Sequence, residues 1–307
     1  MRELLSTPTA SLRPRRQGAP LRRRHWVAGA AAALAAMCVS PLRAAPARRV
    51  VAVGGAITEI VYALGGEREL VGVDTTSLYP AAARALPRVG YARALSAEGV
   101  LSLAPGLLLA TREAGPPAVM AQLRAAGVPV ETVDIAHRFD GVVDAVRRVA
   151  TLTGRDEQGQ ALAGRLQQQW SAARRRVEAR RAGRPAPRVL FVLSHSLAQV
   201  RIAGRDTAAD AVIALAGGSN AFGEVSGYKP LSPEAAIAAA PTHILTTDQG
   251  LQAAGGIEGL LKAPGLAATP AGRARRVLAL DALLLLGFGP RLPQAVAQLA
   301  DALFPDG

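Results

Sequence analysis

Two stretches of this chain repeat one another 136 residues apart: Leu95-Ser96-Ala97-Glu98 running on to Ala104-Pro105, and Leu231-Ser232-Pro233-Glu234 running on to Ala240-Pro241. In each copy a serine stands where a helix N-cap belongs. A glutamate follows in the first turn, where its charge meets the positive end of the helix dipole. Each proline ends its run, and a short apolar strand comes next, over 106–110 and 242–246. A helix leading into a buried strand is the repeating unit of an α/β lobe. Two copies of the unit predict two lobes built alike.

Composition supports that division. At 307 residues, half of them hydrophobic, the chain is long enough for two cores of roughly 100 to 150 residues each. Aromatic residues make up only 4%, so alanine and leucine carry the apolar content. That balance suits helices packed on a parallel sheet better than a β-sandwich. The expected fold is α/β, two Rossmann-like lobes joined by one long helix.

Along the chain, strand 49–53 is followed by the turn Gly54-Gly55, with Thr58 read as the cap of a helix ending before Gly65-Gly66. A strand over 70–73, a helix over 117–126, a strand over 128–133 and a helix over 141–152 complete the first lobe, assigned to 45–154. Residues 155–184 then form the connector. Its stretch Asp156 to Arg181 contains no proline and predicts a helix about 39 Å long at about 1.5 Å per residue. Gly183 to Pro187 breaks it, and strand 188–193 opens the second lobe, 185–307. There Thr207 caps a helix stopped by Gly217-Gly218, echoing the first lobe. Helix 233–239, strands 243–247 and 276–280 and a last helix 292–304 follow. Open α/β sheets place ligands beyond their strand ends, so a cleft between the lobes is the expected binding site.

Residues 1–44 read as an export signal. Six arginines between Arg13 and Arg24 form a basic region, 26–39 an apolar one, and Leu42-Arg43-Ala44 a small-residue cleavage site. The apolar run is shorter than the roughly 20 residues that span a bilayer. Arg23-Arg24 also fits a twin-arginine signal, with the general secretory route as the other. Of the formal net charge of +13, this segment holds eight Arg and one Glu, so +6 remains after its removal. That fall argues against nucleic acid as a partner. The run from Arg174 to Arg184 reads as a solvated helix face. Cys38, the single cysteine, is removed with the segment, unless it is lipidated, which Met37 before it disfavours.

Enzymatic motifs are thin: no H-E-x-x-H, no G-x-S-x-G and no Walker sequence occurs. Asp74, about 20 residues past Gly54, stands where a dinucleotide fold holds a ribose, but the G-x-G-x-x-G that must accompany it is missing. Ser194-His195-Ser196 sets hydroxyls beside an imidazole, yet neighbours on a strand point to opposite faces. Tyr91 says more. It follows Gly90 and precedes Arg93 by two, a spacing that in an extended loop puts phenol and guanidinium on one side. A nearby cation favours phenolate, a hard donor suited to ferric iron. A half-buried tyrosine stacked on an arginine has the same sequence.

The run Val89-Gly90-Tyr91-Ala92-Arg93-Ala94-Leu95-Ser96-Ala97-Glu98-Gly99, with Asp74 to Ser77 before it and Leu286-Gly287-Phe288-Gly289-Pro290-Arg291 near the end, resembles the periplasmic haem-binding proteins of bacterial haem ABC importers. The likeness extends from about Arg49 to Phe304. It implies the helix-hinged binding-protein fold, a monomer that is not an enzyme, holding haem between its lobes and delivering it to an inner-membrane ABC permease and its ATPase. By the same resemblance Tyr91 ligates the iron and Arg93 hydrogen-bonds the phenolate. Ala92 replaces a frequent methionine, a change expected to alter packing on the macrocycle. His195 matches a second iron ligand, Tyr228 stacks on the porphyrin, Lys229 meets a propionate, and Glu98 and Glu234 engage the permease. Two other readings stand beside it: the same fold carrying a ferric siderophore or a cobalamin, and a periplasmic hydrolase using Ser194 or Ser196 with His195.

Overall fold

The computed structural model describes residues 48–193 and 200–306. The export segment at 1–44 and the Ser194-His195-Ser196 group lie outside these residues. The first lobe runs β1 (Val50–Val53), α1 (Gly55–Ala63), β2 (Leu70–Val73), the short strands β3 (Gly90–Tyr91) and β4 (Ala94–Leu95), α2 (Ala97–Leu101), β5 (Leu107–Thr111), α3 (Pro117–Ala125), β6 (Val130–Val133) and α4 (Phe139–Thr153). Helix α5 (Asp156–Arg181) crosses to β7 (Arg188–Leu193), β8 (Arg201–Ala203), α6 (Ala208–Leu215), β9 (Ser219–Asn220), β10 (Tyr228–Pro230), α7 (Pro233–Ala238) and β11 (His243–Thr247). The chain ends through α8 (Asp248–Ala253), α9 (Gly256–Leu261), α10 (Pro270–Arg273), β12 (Val277–Leu280), α11 (Ala282–Leu286) and α12 (Leu292–Leu303).

The first sheet is parallel throughout, in the order β2-β1-β5-β6. In the second, β7 lies parallel to β9 and β11, and β11 parallel to β12, which repeats that order strand for strand. The second lobe adds an edge that the first lacks. β8 pairs antiparallel with the far end of β7, and β10 with β8. The sequence reading contained neither strand.

Residues of β1 alternate between two cores: Val50 and Ala52 on one face, Val51 and Val53 on the other. The first face belongs to an apolar cluster that also takes in Leu162 and Leu166 of α5, Phe191 of β7, Leu245 of β11 and Leu299 of α12. One core therefore backs both sheets. Separate clusters fill the outer faces.

Local signals placed the helices well. Ser96 accepts from the Gly99 amide at 3.0 Å and Ser232 from Ala235 at 3.2 Å, and Thr207 caps α6 through the Asp210 amide. Both repeats also end alike, with Ala104 and Ala240 at φ 42° and 43° immediately before their prolines. Left-handed backbone at a non-glycine residue costs about 1 kcal/mol or more, and the chain accepts that cost twice at equivalent turns.

Two expectations need correction. Thr58 does not cap α1, which starts at Gly55; the residue is fully buried inside the helix, its hydroxyl 2.7 Å from that of Ser77. The cap position belongs to Gly54, whose φ is 110° and where a Cβ would fall 2.4 Å from Thr111 Cγ2. The arginine run on α5 is more than a solvated face. Arg176 and Arg180 donate to Asp301 on α12 at 2.8 and 2.9 Å, Arg180 also pairs with Asp306, and Arg184 donates to the Phe304 and Pro305 carbonyls. The run pins the last helix to the connector. Among the described residues, no helix is long and apolar enough to cross a membrane.

His243 starts β11 half-buried, its Nδ1 3.0 Å from the Thr242 hydroxyl, and burial with the Arg276 charge holds its pKa below the usual imidazole value. A ring whose folded pKa lies below its unfolded value of about 6.5 supports the native state while neutral. That support is complete above the unfolded value and is lost as acidification proceeds towards the folded one. His243→Gln is therefore expected to flatten the decline in urea stability between about pH 7 and 5, measured as the denaturation midpoint across that range.

Candidate functional site

Tyr91 is carried on a hairpin and not in an extended loop. Tyr91 pairs with Ala94 across β3 and β4, leaving Ala92 and Arg93 as the two turn residues. A turn abolishes the period of two that put phenol and guanidinium on one side, and among the described residues no hydrogen bond joins them. Gly90, at φ 104°, makes the bend into the hairpin. Ala92 points inward, 8% exposed in the outer core of the first lobe, so its side chain packs on the protein.

The hairpin is held from both sides. The Thr75 amide donates to Gly90 O at 2.9 Å; the Gly115 amide donates to Ala92 O at 2.9 Å, and Gly115 O accepts from Leu95 at 2.8 Å. Behind Thr75 lies Asp74, fully buried. Its carboxylate accepts from the Gly54 amide at 3.0 Å, the Thr76 amide and hydroxyl at 3.0 and 2.6 Å, and the Ser77 hydroxyl at 2.7 Å. Those donors saturate it, so Asp74 is a structural knot with no oxygen left for a ribose. Tyr91 itself stays 48% exposed on this fixed platform.

The second lobe offers a matching tyrosine. Gly227, at φ 71°, leads into Tyr228 on β10, which pairs with Ala203 of β8 while Arg201 donates to the Tyr228 carbonyl at 2.8 Å. Burial pushes the Tyr228 phenol up, and the Arg93 charge pulls it the other way. Arg93 of the first lobe's hairpin turn thus stands near enough to the second lobe's edge strand for its charge to act on Tyr228. Lys229 beside it is exposed.

The repeat therefore reaches further upstream than its leucine. Gly90-Tyr91 precedes Leu95-Ser96-Ala97-Glu98, and Gly227-Tyr228 precedes Leu231-Ser232-Pro233-Glu234, one residue closer. The pairing was present in the sequence, and the single-residue offset hid it. Glu98 and Glu234 are exposed in the first turns of α2 and α7, and among the described residues neither is in an ion pair. His195 lies outside the described residues. A recess of about 620 Å³ between α5 and α12, lined by Leu162, Gln169, Pro293 and Ala297 among others, contains neither tyrosine.

Residues 50–284, most of the described chain, match the family model of the periplasmic binding proteins. This chain belongs to that family. The binding protein resembles the solved periplasmic heme-binding protein BhuT in complex with two hemes, at 52% identity and a TM-score of 0.80 over 83% of this chain and 97% of that one. It is 27% identical to the uncharacterized ABC transporter substrate-binding lipoprotein YvrC of Bacillus subtilis (strain 168), over 84% of this chain and 81% of that protein. It is also 28% identical to the vitamin B12-binding protein of Pectobacterium atrosepticum, over 58% of this chain and 63% of that protein, under two thirds of its length.

Removing the Asp74 carboxylate leaves three buried or half-buried donors, the Gly54 and Thr76 amides and the Thr76 hydroxyl, without a partner, while Ser77 keeps Thr58. Unsatisfied buried donors cost roughly 1–3 kcal/mol each before relaxation, so Asp74→Ala is expected to lower unfolding free energy by about 3 kcal/mol or more. Hydrogen exchange should speed at Gly54, Thr75 and Thr76 ahead of the β7 and β11 amides.

Proposed function

We propose that this binding protein captures haem between its lobes after export and hands it to an ABC permease energised by an ATPase. The 52% identity that runs across 97% of a heme-binding protein carries the reading. The exposed phenol on a pinned hairpin gives it chemistry. Tyr91 supplies a hard phenol oxygen to ferric iron, and Arg93 stands in the adjoining turn as a nearby cation. Tyr228 covers the porphyrin from the second lobe and Lys229 meets a propionate. His195 is the candidate for a second ligand. Lobes 45–154 and 185–307 enclose the site around the connector 155–184, and the protein acts as a monomer.

Glu98 and Glu234, one on each lobe at the same place in the repeat, present paired carboxylates to basic groups of the permease. Export takes the general secretory or twin-arginine route and ends with cleavage after Ala44. A cobalamin cargo is the second reading, favoured by the vitamin B12-binding relative; an exposed tyrosine able to offer its oxygen to iron argues for haem. The hydrolase reading through Ser194, Ser196 and His195 gains nothing from a family and relatives that are binding proteins.

Titration of the mature protein with hemin is expected to give a high-spin ferric spectrum with a phenolate charge-transfer band. Tyr91→Ala should erase that band and weaken binding at least about tenfold, or 1.4 kcal/mol. Unchanged binding in the variant, or displacement of hemin by equimolar cyanocobalamin, would overturn the assignment.

A further inference from the structure

The end of the second lobe returns to the first. Beyond β12 the chain passes through α11 and Gly287-Phe288-Gly289-Pro290 to Arg291, and along this strap three contacts meet first-lobe residues. Leu283 occupies the space beside Gly55, its Cδ1 2.5 Å from where a Cβ would stand. Phe288, only 1% exposed and bent to φ 49°, packs against His137 with ring centroids 4.9 Å apart. Arg291 forks onto Glu59 of α1, Nε to Oε2 at 3.0 Å and Nη2 to Oε1 at 2.5 Å.

The fork is well enclosed. The side chains of Glu59 and Arg291 are 3% and 17% exposed, Asp281 stands 3.8 Å from the guanidinium, and the Tyr79 ring lies over it at 3.7 Å. Gly289 lets the strap come this close, since a Cβ there would fall 3.2 Å from Glu59 Oε2. Glu59 and Tyr79 belong to the first lobe, Asp281 and Arg291 to the second. Two positions 232 residues apart thus share one desolvated ion pair.

Such a pair is a poor source of stability, because the cost of dehydrating both charges consumes most of the attraction. What it supplies is direction. A bidentate guanidinium–carboxylate contact fixes distance and plane together, whereas the apolar core behind the sheets is non-directional and α5 joins the lobes at a single line.

We infer that Arg291 is an interlobe positioning residue: its fork on Glu59, beneath the Tyr79 ring, sets the angle at which the lip bearing Tyr91 faces the lip bearing Tyr228. The inference rests on the proposed binding site between the lobes, and its first test needs no ligand.

The mature chain carries no cysteine, so spin labels can be set on exposed positions of each lobe by Arg124→Cys and Lys262→Cys. Pulsed electron resonance on the labelled wild-type protein is expected to give one narrow distance distribution. Arg291→Lys, which keeps the charge but loses the fork, and Glu59→Gln, which keeps the shape but loses the charge, should each broaden it. Leu123→Ala, buried in the outer core of the first lobe, should lower the unfolding midpoint and leave the distance unchanged. With hemin bound, dissociation from the two fork variants should be about tenfold faster while the charge-transfer band persists. Unaltered distributions in both fork variants, or equal broadening in Leu123→Ala, would overturn the inference. Absence of hemin binding by the wild type would remove the haem reading and leave the distance test standing.

Discussion

A buried carboxylate organises the first lobe. By accepting from Gly54, Thr76 and Ser77, Asp74 satisfies a donor at the start of α1 and closes the loop after β2. That loop in turn holds the Tyr91 hairpin through Thr75. Helix entry, strand exit and the Tyr91 hairpin depend on one side chain with no solvent exposure. This coupling explains why α1 needs no hydroxyl cap of its own and why Thr58, the expected cap, sits free to pair with Ser77.

The second lobe solves the same problem with different chemistry. Asn220, at the end of β9 as Asp74 is at the end of β2, donates to Ala203 O at 3.0 Å and to Asp210 in the first turn of α6 at 2.9 Å, and accepts from the Phe222 amide. Here strand β8 comes between β7 and the helix in sequence, and α6 carries its own cap, Thr207. The duplication has kept the job, a polar side chain clamping the neighbouring helix start, while changing the residue that does it.

Legibility followed range. The bounds of α5 came straight from an unbroken run between a first turn of Asp156-Glu157 and the Gly183–Pro187 break, and the serine caps from a three-residue spacing. Such signals act within one or two turns. The strands β8, β9 and β10 hold two or three residues each, too few for a pattern of alternation, and exist because β7 offers them an edge. The Arg93 turn was misread because a period of two assumes extended backbone. Arg291 was visible only as part of a resemblance, since nothing near it in sequence announces Glu59. Signals acting within a turn or two were therefore legible, and a contact such as Glu59–Arg291, 232 residues apart, was not.

Equivalent positions in the two lobes do not share one environment. Tyr91 is 48% exposed on its hairpin, so its phenol oxygen meets solvent directly. Tyr228 occupies the matching place after a positive-φ glycine, but burial holds its phenol protonated further above the usual range than the Arg93 charge can offset. A protonated phenol is a weak donor to iron and a good hydrogen-bond donor and stacking face. The asymmetry accompanies the added edge: Tyr228 sits in β10, joined to the sheet through β8 and packed on the main core, whereas the separate pair β3–β4 leaves Tyr91 exposed. The added edge thus leaves two matching tyrosines in unlike surroundings, one bare on a hairpin and one half-buried on a sheet edge.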